Sequence, residues 1–369
     1  MRQATSSRDS ATGWGTRLCA AVLTCVLAGC ASMGPGTVAV DRFDYSTAIA
    51  DSWKQQTLLN IVKLCYMDLP VFVDVSSIVA GYSIEMGVNV NGGVSSGGTG
   101  SLGDYIGVGG QALYTDRPTV TYVPLTGEQF LRGLLTPIEP KNIFFMLQSG
   151  YPADFVLGLT VEGLNGVHNR STAGGVVREA DPAFVRALQL LREVQLAGAV
   201  GMRVEEDRAG DSTAIFFFRG DDVAPDIREK SAEIRRLLKL SPDASKLALT
   251  YSPMPGGADE LAVNSRSMLQ IMSSFSTYVD VPEADLEAHR ATPVPAGSGA
   301  PEPPGGVRIH SGDEKPLDAF AAVRYRGHWF WVDDGDYATK RALTAVMFFF
   351  TLAETGAGEN LPLVTIPAQ

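Results

Sequence analysis

The segment AAVRYRGHWFWVDDGDYATKRAL, Ala321 to Leu343, decides the class of fold. Phe320–Tyr325 and His328–Val332 are two short runs rich in aromatic and β-branched residues about Arg326-Gly327, the pattern of a β-hairpin. Asp333–Asp336 is a polar turn, and the apolar spacing after it predicts a helix over Tyr337–Leu352. The same order recurs upstream without sequence repetition. Met202–Glu206 and Thr213–Arg219 flank a polar hairpin turn, and Asp226–Leu240 is a charged amphipathic helix. Hairpins followed by helices are accommodated by an antiparallel sheet with helices packed on one side, so the class is α+β.

The N-terminal half reads as more helical. Ile49, Trp53, Leu58, Ile61, Val62 and Cys65 recur at helical steps within Asp44–Tyr66, and Pro70 opposes continuation. Val71–Val79 is strand-like. Eleven of the 39 glycines fall between residues 81 and 110. There Ile84, Met86, Val88 and Val90 alternate with Ser83, Glu85, Gly87 and Asn89, and Ile106 and Val108 alternate with glycines. The expectation is a long glycine-rich hairpin over 81–124, bent or at an edge near Pro118. Thr126 and Gln129 fit a capping box opening a helix to Leu135. Helices are also expected over Lys141–Gln148, Ala153–Leu164 and from Asp181-Pro182 to near Gly198. Asn165–Gly175 reads as a loop, Lys246–Ser252 and Glu260–Asn264 as strands, Ser265–Tyr278 as a helix and Leu363–Ile366 as a last strand.

Before all of this lies LCAAVLTCVLAGC, Leu18–Cys30. A positive start and an apolar run too short to span a bilayer are the marks of a signal segment. Leu27-Ala28-Gly29-Cys30 resembles the lipobox of bacterial lipoproteins. That resemblance implies cleavage between Gly29 and Cys30, diacylglycerol and palmitate carried covalently on Cys30, and, with Ala31 next, the outer membrane with a periplasm-facing anchor. The expected divisions are 1–29 signal peptide, 30–43 lipidated tether, 44–200 mixed domain, 201–281 ββα region, 282–306 Pro/Gly-rich linker, and 307–369 a hairpin–helix region packing on the preceding sheet.

Charge narrows the functions. The chain holds 41 acidic against 30 Lys and Arg residues, a net charge of −11. So acidic a chain argues against nucleic acid as a partner and against electrostatic adhesion to anionic lipid. Of four cysteines, Cys19 and Cys25 leave with the leader and Cys30 is the lipid site, so Cys65 is left as a buried structural thiol.

No catalytic constellation emerges. Gly93-Val94-Ser95-Ser96-Gly97 matches a nucleophile-elbow pattern but lacks the helix behind the serine. Gly107–Gly110 is a fragment of a phosphate-loop pattern. Asp333-Asp334-Gly335-Asp336 lacks the spaced ligands of a calcium loop and reads as a turn with an N-cap. His168, His289, His310 and His328 have no metal-ligand spacing, so neither a metal nor a cofactor beyond the lipid is expected. The aromatic run around His328 reads as core first, and as a sugar or partner site second. Tyr82, Ile84, Met86, Val88, Tyr105, Ile106 and Tyr114 are the candidate contacts with a partner or membrane.

QTLLNIVKLCYMDLPVFVDVSSI (Gln56–Ile78), DRPTVTYVPLTGEQFLRGLLTPI (Asp116–Ile138) and Ala321–Leu343 resemble a group of uncharacterised bacterial envelope lipoproteins of the outer-membrane type. Cys65 departs from the arginine expected at its position, which weakens a general thiol role. The resemblance implies an envelope location and carries over no active site. The sequence therefore leads to a lipid-anchored envelope protein with protein partners, non-enzymatic, for binding or assembly in the periplasm. The alternative is an oligomeric export or pore component, a homo-oligomer inserting the 81–124 hairpin into the outer membrane. An envelope enzyme of unknown reaction stands third.

Overall fold

A computed structural model describes residues 35–79, 82–93, 105–116, 118–171, 178–206, 212–219, 223–291 and 306–354. The fold is α+β, with predominantly antiparallel sheets. It divides into two units at Gln55/Gln56, inside the first helix. That helix, α1 (Pro35–Cys65), starts well before Asp44. Residues 35–43, expected in the tether, are helical; proline is tolerated in a first turn because its missing N–H has no partner there.

The centre is a six-stranded sheet in the order β6-β5-β10-β9-β8-β7. Its strands are β5 (Val161–Leu164), β6 (Val167–His168), β7 (Val200–Glu206), β8 (Ser212–Phe218), β9 (Lys246–Tyr251) and β10 (Glu260–Ser265). The sheet thus runs across the expected boundary at 200/201. The Met202–Arg219 hairpin is present, with Val200 opposite Phe218. Alternation sets its faces: Ala214, Phe216, Phe218, Leu247 and Leu249 are buried, while Lys246 and Thr250 are exposed. Helices α3 (Pro140–Gln148) and α5 (Pro182–Leu196) contribute Phe144, Leu190 and Leu191 to the core, and Phe144 meets Phe216 edge-on at 5.2 Å. Helix α6 (Pro225–Leu237) lies against α5.

Several boundaries differ from expectation, each for a local reason. Helix α4 (Ala153–Thr160) stops early, and Val161–Leu164, expected to continue it, is strand β5. The following Asn165 and Gly166 take φ of 46° and 76°. This is an Asn-Gly turn of the kind whose twist suits a two-residue hairpin, placed where a loop was expected. β9 and β10 pair in parallel, Glu260 opposite Ala248. Helix α2 (Glu128–Leu135) has Gly127 as N-cap at φ 91° with no side-chain cap, so the Thr126/Gln129 capping box is not formed. A capping box occurs instead at Ser267/Gln270, opening α7 (Met268–Ser276). Of the expected linker, Glu283–Glu287 is helix α8, with Asp285 only 2% exposed.

In the C-terminal region the expected hairpin and helix are present, the hairpin within a separate three-stranded sheet. β12 (Ala319–Tyr325) and β13 (His328–Asp333) pair antiparallel about Arg326-Gly327, and β11 (His310–Gly312) lies on the other side of β13. Phe330 and Val332 are fully buried. Asp336 accepts from the Thr339 N–H at 3.0 Å, capping α9 (Tyr337–Glu354). Leu363–Ile366 lies outside the described residues, as do Gly29, Cys30 and Ser95. Among the described residues, no helix is long and apolar enough to cross a membrane.

Candidate functional site

The glycine-rich stretch is one part of a longer arm. β1 (Phe72–Val79) pairs antiparallel with β4 (Thr119–Leu125), and β2 (Tyr82–Gly93) with β3 (Tyr105–Asp116). From Ser77↔Thr121 to Gly93↔Tyr105 the residue numbers of every pair add to the same total. The four strands are therefore two limbs of a single hairpin in one register, interrupted near Pro118. Val71–Val79, expected as a separate strand, is its base. At about 3.3 Å per residue, Tyr82–Gly93 alone reaches roughly 40 Å.

The root is fixed by three devices. Gln56 and Asn60 stand one turn apart on α1 and present their side-chain amides to alternate residues of the limb. Asn60 donates to the Val71 carbonyl at 2.8 Å and accepts from the Val71 N–H at 2.9 Å. Gln56 does the same for Val73, at 3.1 and 2.7 Å. Two helix side chains thus stand in for a neighbouring strand and pair with backbone groups of the limb. Phe72, 3% exposed, packs against Phe350 at 4.6 Å and Phe130 at 6.1 Å. A bulge at Ser76 then shifts the register, the usual way a strand is re-aimed where it leaves a body.

Past the bulge the surroundings change. Leu113 is 50% exposed, and Thr119 and Thr121 are exposed. Asn89, Gly109, Gly110 and Gln111 are exposed. A Cβ at Gly110 would meet nothing within 4 Å, and one at Gly109 only the Asn89 carbonyl at 3.9 Å. Among the described residues, nothing covers either face there. The register also sorts the residues. Tyr82↔Asp116, Ile84↔Tyr114, Met86↔Ala112, Val88↔Gly110, Val90↔Val108 and Gly92↔Ile106 occupy one face, apolar but for Asp116 at its root end. Ser83↔Thr115, Glu85↔Leu113, Gly87↔Gln111, Asn89↔Gly109 and Gly93↔Tyr105 occupy the other. Six of the seven expected contact residues share the apolar face, and Tyr105 lies opposite.

The remaining polar clusters fasten elements together. The Tyr66 hydroxyl donates to Asp285 at 2.8 Å, and Arg290 reaches the same carboxylate at 3.1 Å. Burial and the Asp285 carboxylate push the Tyr66 phenol above its ordinary value. Burial acts to raise Asp285, but the bonds from Tyr66 and Arg290 prevail and hold its carboxyl below the usual range. Beside them Tyr325 and Arg326 both donate to Asp68. These contacts tie the end of α1 to α8 and to the β12–β13 turn. His310 stacks on Trp331 and sits 3.2 Å from Asp333 and 3.6 Å from Asp280. His328 contacts Asp313 at 2.9 Å. Buried Arg266 pairs with Glu162 at 2.9 Å and donates to the Leu159 carbonyl at 3.2 Å, as a charge out of water requires.

Cys65 is 4% exposed, and burial pushes its thiol up to about 12. Its Sγ lies 2.9 Å from the Ser276 carbonyl. It is an inert packing group. Gly107–Gly110 lies inside strand β3, so it forms no phosphate loop. A cavity of about 30 Å³ between α3, α5 and the sheet is lined by Phe144, Leu147, Leu191, Met202 and Phe216. Its polar neighbour Gln195 is engaged with Leu147, Tyr151 and Ala153. A volume of that size admits a water or two. The arm is therefore the candidate site. Sequence periodicity located its apolar residues, while the Gln56/Asn60 clip is a tertiary arrangement that no local pattern signals.

Compared with known proteins, the chain matches no family model, no curated protein and no solved structure.

Proposed function

We propose that this chain is a lipid-anchored component of the bacterial envelope, non-enzymatic, that engages a partner through the 72–125 arm. The observation that carries the reading is the contrast within the arm: a root clamped by Gln56, Asn60 and Phe72, and beyond it an amphipathic two-stranded ladder whose faces are open at Gly109 and Gly110. An isolated two-stranded hairpin is at best marginally stable in water. A ladder this long and regular is accounted for by a partner that covers it. The LAGC motif at Leu27–Cys30 supplies the anchor in this reading, and Ala31 directs the lipid to the outer membrane facing the periplasm.

Two experiments test it. Replacing Ser77–Thr121 with a two-residue turn leaves the rest of the chain folding cooperatively and abolishes its cross-links to partners in intact cells; cross-links that survive the deletion contradict the docking role. Cys30→Ala removes labelling by a palmitate analogue and releases the protein from membranes; normal labelling contradicts the anchor. A reproducible hydrolase or transferase activity of the purified soluble chain contradicts the non-enzymatic reading.

A further inference from the structure

We propose that β2 and β3 of several copies of this chain pair edge to edge into a closed antiparallel barrel across a lipid bilayer, each copy giving one hairpin. This rests on the docking role above and names the arm's partner as the chain itself.

The edges argue first. A two-stranded ladder presents a row of unpaired N–H and C=O groups along each outer side, and soluble proteins guard such edges with lysine, proline, inward charges or bulges. β2 and β3 hold no lysine, arginine or proline, and only Glu85 and Asp116 carry charge. Their pairing shows no register shift from end to end. Guarding is confined to the root, where Gln56 and Asn60 occupy the side of the limb at Val71 and Val73 and Ser76 forms the bulge.

Area argues next. A strand about 40 Å long in a sheet about 10 Å thick offers roughly 400 Å² per edge, half of the roughly 800 Å² per partner found in stable interfaces. Each shared edge therefore falls short of a stable pairwise interface, and only a closed ring gives every copy two such edges. β2 of one copy beside β3 of the next continues the antiparallel alternation head to tail, and such a contact closes into a ring when the rotation permits.

Length and faces choose the solvent. Each strand has 12 residues. At about 3.4 Å per residue and a tilt of about 40° it spans about 30 Å, the thickness of bilayer hydrocarbon. A lipid-exposed ladder must satisfy every backbone group internally, which a closed barrel does and an open hairpin does not. The Ile84–Val90 face turns to lipid, and the Ser83, Glu85, Asn89 and Gln111 face turns to a wet interior. A barrel of about eight strands is filled by its own side chains and a wet channel needs about sixteen, so the assembly contains about eight copies.

The test uses full-length lipidated protein reconstituted into phosphatidylcholine/phosphatidylglycerol vesicles holding a trapped dye. Dye release is expected, together with a cross-linked ladder reaching about eight copies. Val88→Arg, on the apolar face near mid-strand, lowers release by about tenfold or more, because a guanidinium facing lipid opposes insertion. Gln111→Arg, at the same level on the opposite face, keeps release within about twofold, as substitutions facing a lumen do. Equal unfolding midpoints of the two variants show that their bodies are intact. Tight vesicles, a monomer on cross-linking, or equal loss from both variants overturns the barrel. If the arm deletion abolishes cellular cross-links while the wild type stays monomeric, docking survives and self-assembly falls. If the deletion leaves those cross-links in place, the docking role falls with it.

Discussion

The six-stranded sheet and the arm use the same alternation of residues and meet different fates. In β8 and β9, Phe216, Phe218, Leu247 and Leu249 are buried beneath helices. In β2 and β3, Ile84, Met86, Val88 and Val90 form an equally regular file on a ladder that, among the described residues, no third strand joins. The period of two decides that a face exists; what covers it is a separate matter. The sheet is finished within one chain; in the reading proposed above, the arm is finished by a partner.

The comparison can be broken most severely in the sheet. Phe216→Ala is expected to cost the soluble chain about 3–5 kcal/mol, measured by urea unfolding, whereas Val88→Arg changes the same midpoint by less than about 0.5 kcal/mol. Comparable losses from both would erase the distinction between a covered and an uncovered face.

The root is the next place to press. Asn60 is fully buried and pairs with both backbone groups of Val71. Asn60→Ala leaves those two groups unsatisfied and is expected to cost about 2–3 kcal/mol, with faster hydrogen exchange at Val71 and Val73. Gln56→Ala, at a less buried position, costs less. An unchanged exchange rate in both variants contradicts the clip.

Smaller effects come from the Tyr66–Asp285 pair, and their signs differ. The Asp285 carboxyl is held below its ordinary value. It contributes stability that is present above the usual carboxylate range and lost as pH falls through its lower folded value. Tyr66 is held above its ordinary value, so its contribution is present below about pH 10 and lost as pH rises beyond it. Asp285→Asn flattens the acid limb of the stability profile, and Tyr66→Phe flattens the alkaline limb. Profiles parallel to the wild type at both ends refute the assignment. Smallest of all is Cys65: an aromatic disulfide reagent leaves it unmodified in the folded chain and modifies it in urea. Rapid reaction of the folded chain contradicts the buried position.

The sequence was most informative where neighbours in the chain are also neighbours in space. The 320–352 hairpin and helix follow from aromatic alternation and the Asp336 cap, and the Met202–Arg219 hairpin from its polar turn. Asn165-Gly166 was equally local, but the apolar run before it fits a helix as well as a strand. Pairing direction was out of reach, because the parallel contact of Glu260 with Ala248 depends on how the 252–259 loop runs back. The arm was half legible. Its alternation showed, whereas its continuation into Val71–Val79, its clamp by Gln56 and Asn60, and the union of two apolar files on one face all depend on register between distant residues.

Hydrogen exchange along the arm tests the central claim most directly. Amides of residues 82–93 and 105–116 are compared in the lipidated chain within native membranes and in the soluble Cys30→Ala chain. Strong protection in the membrane and rapid exchange in solution is the predicted result. Equal protection in the two samples would mean that the hairpin is complete by itself, and would contradict an arm built for a partner.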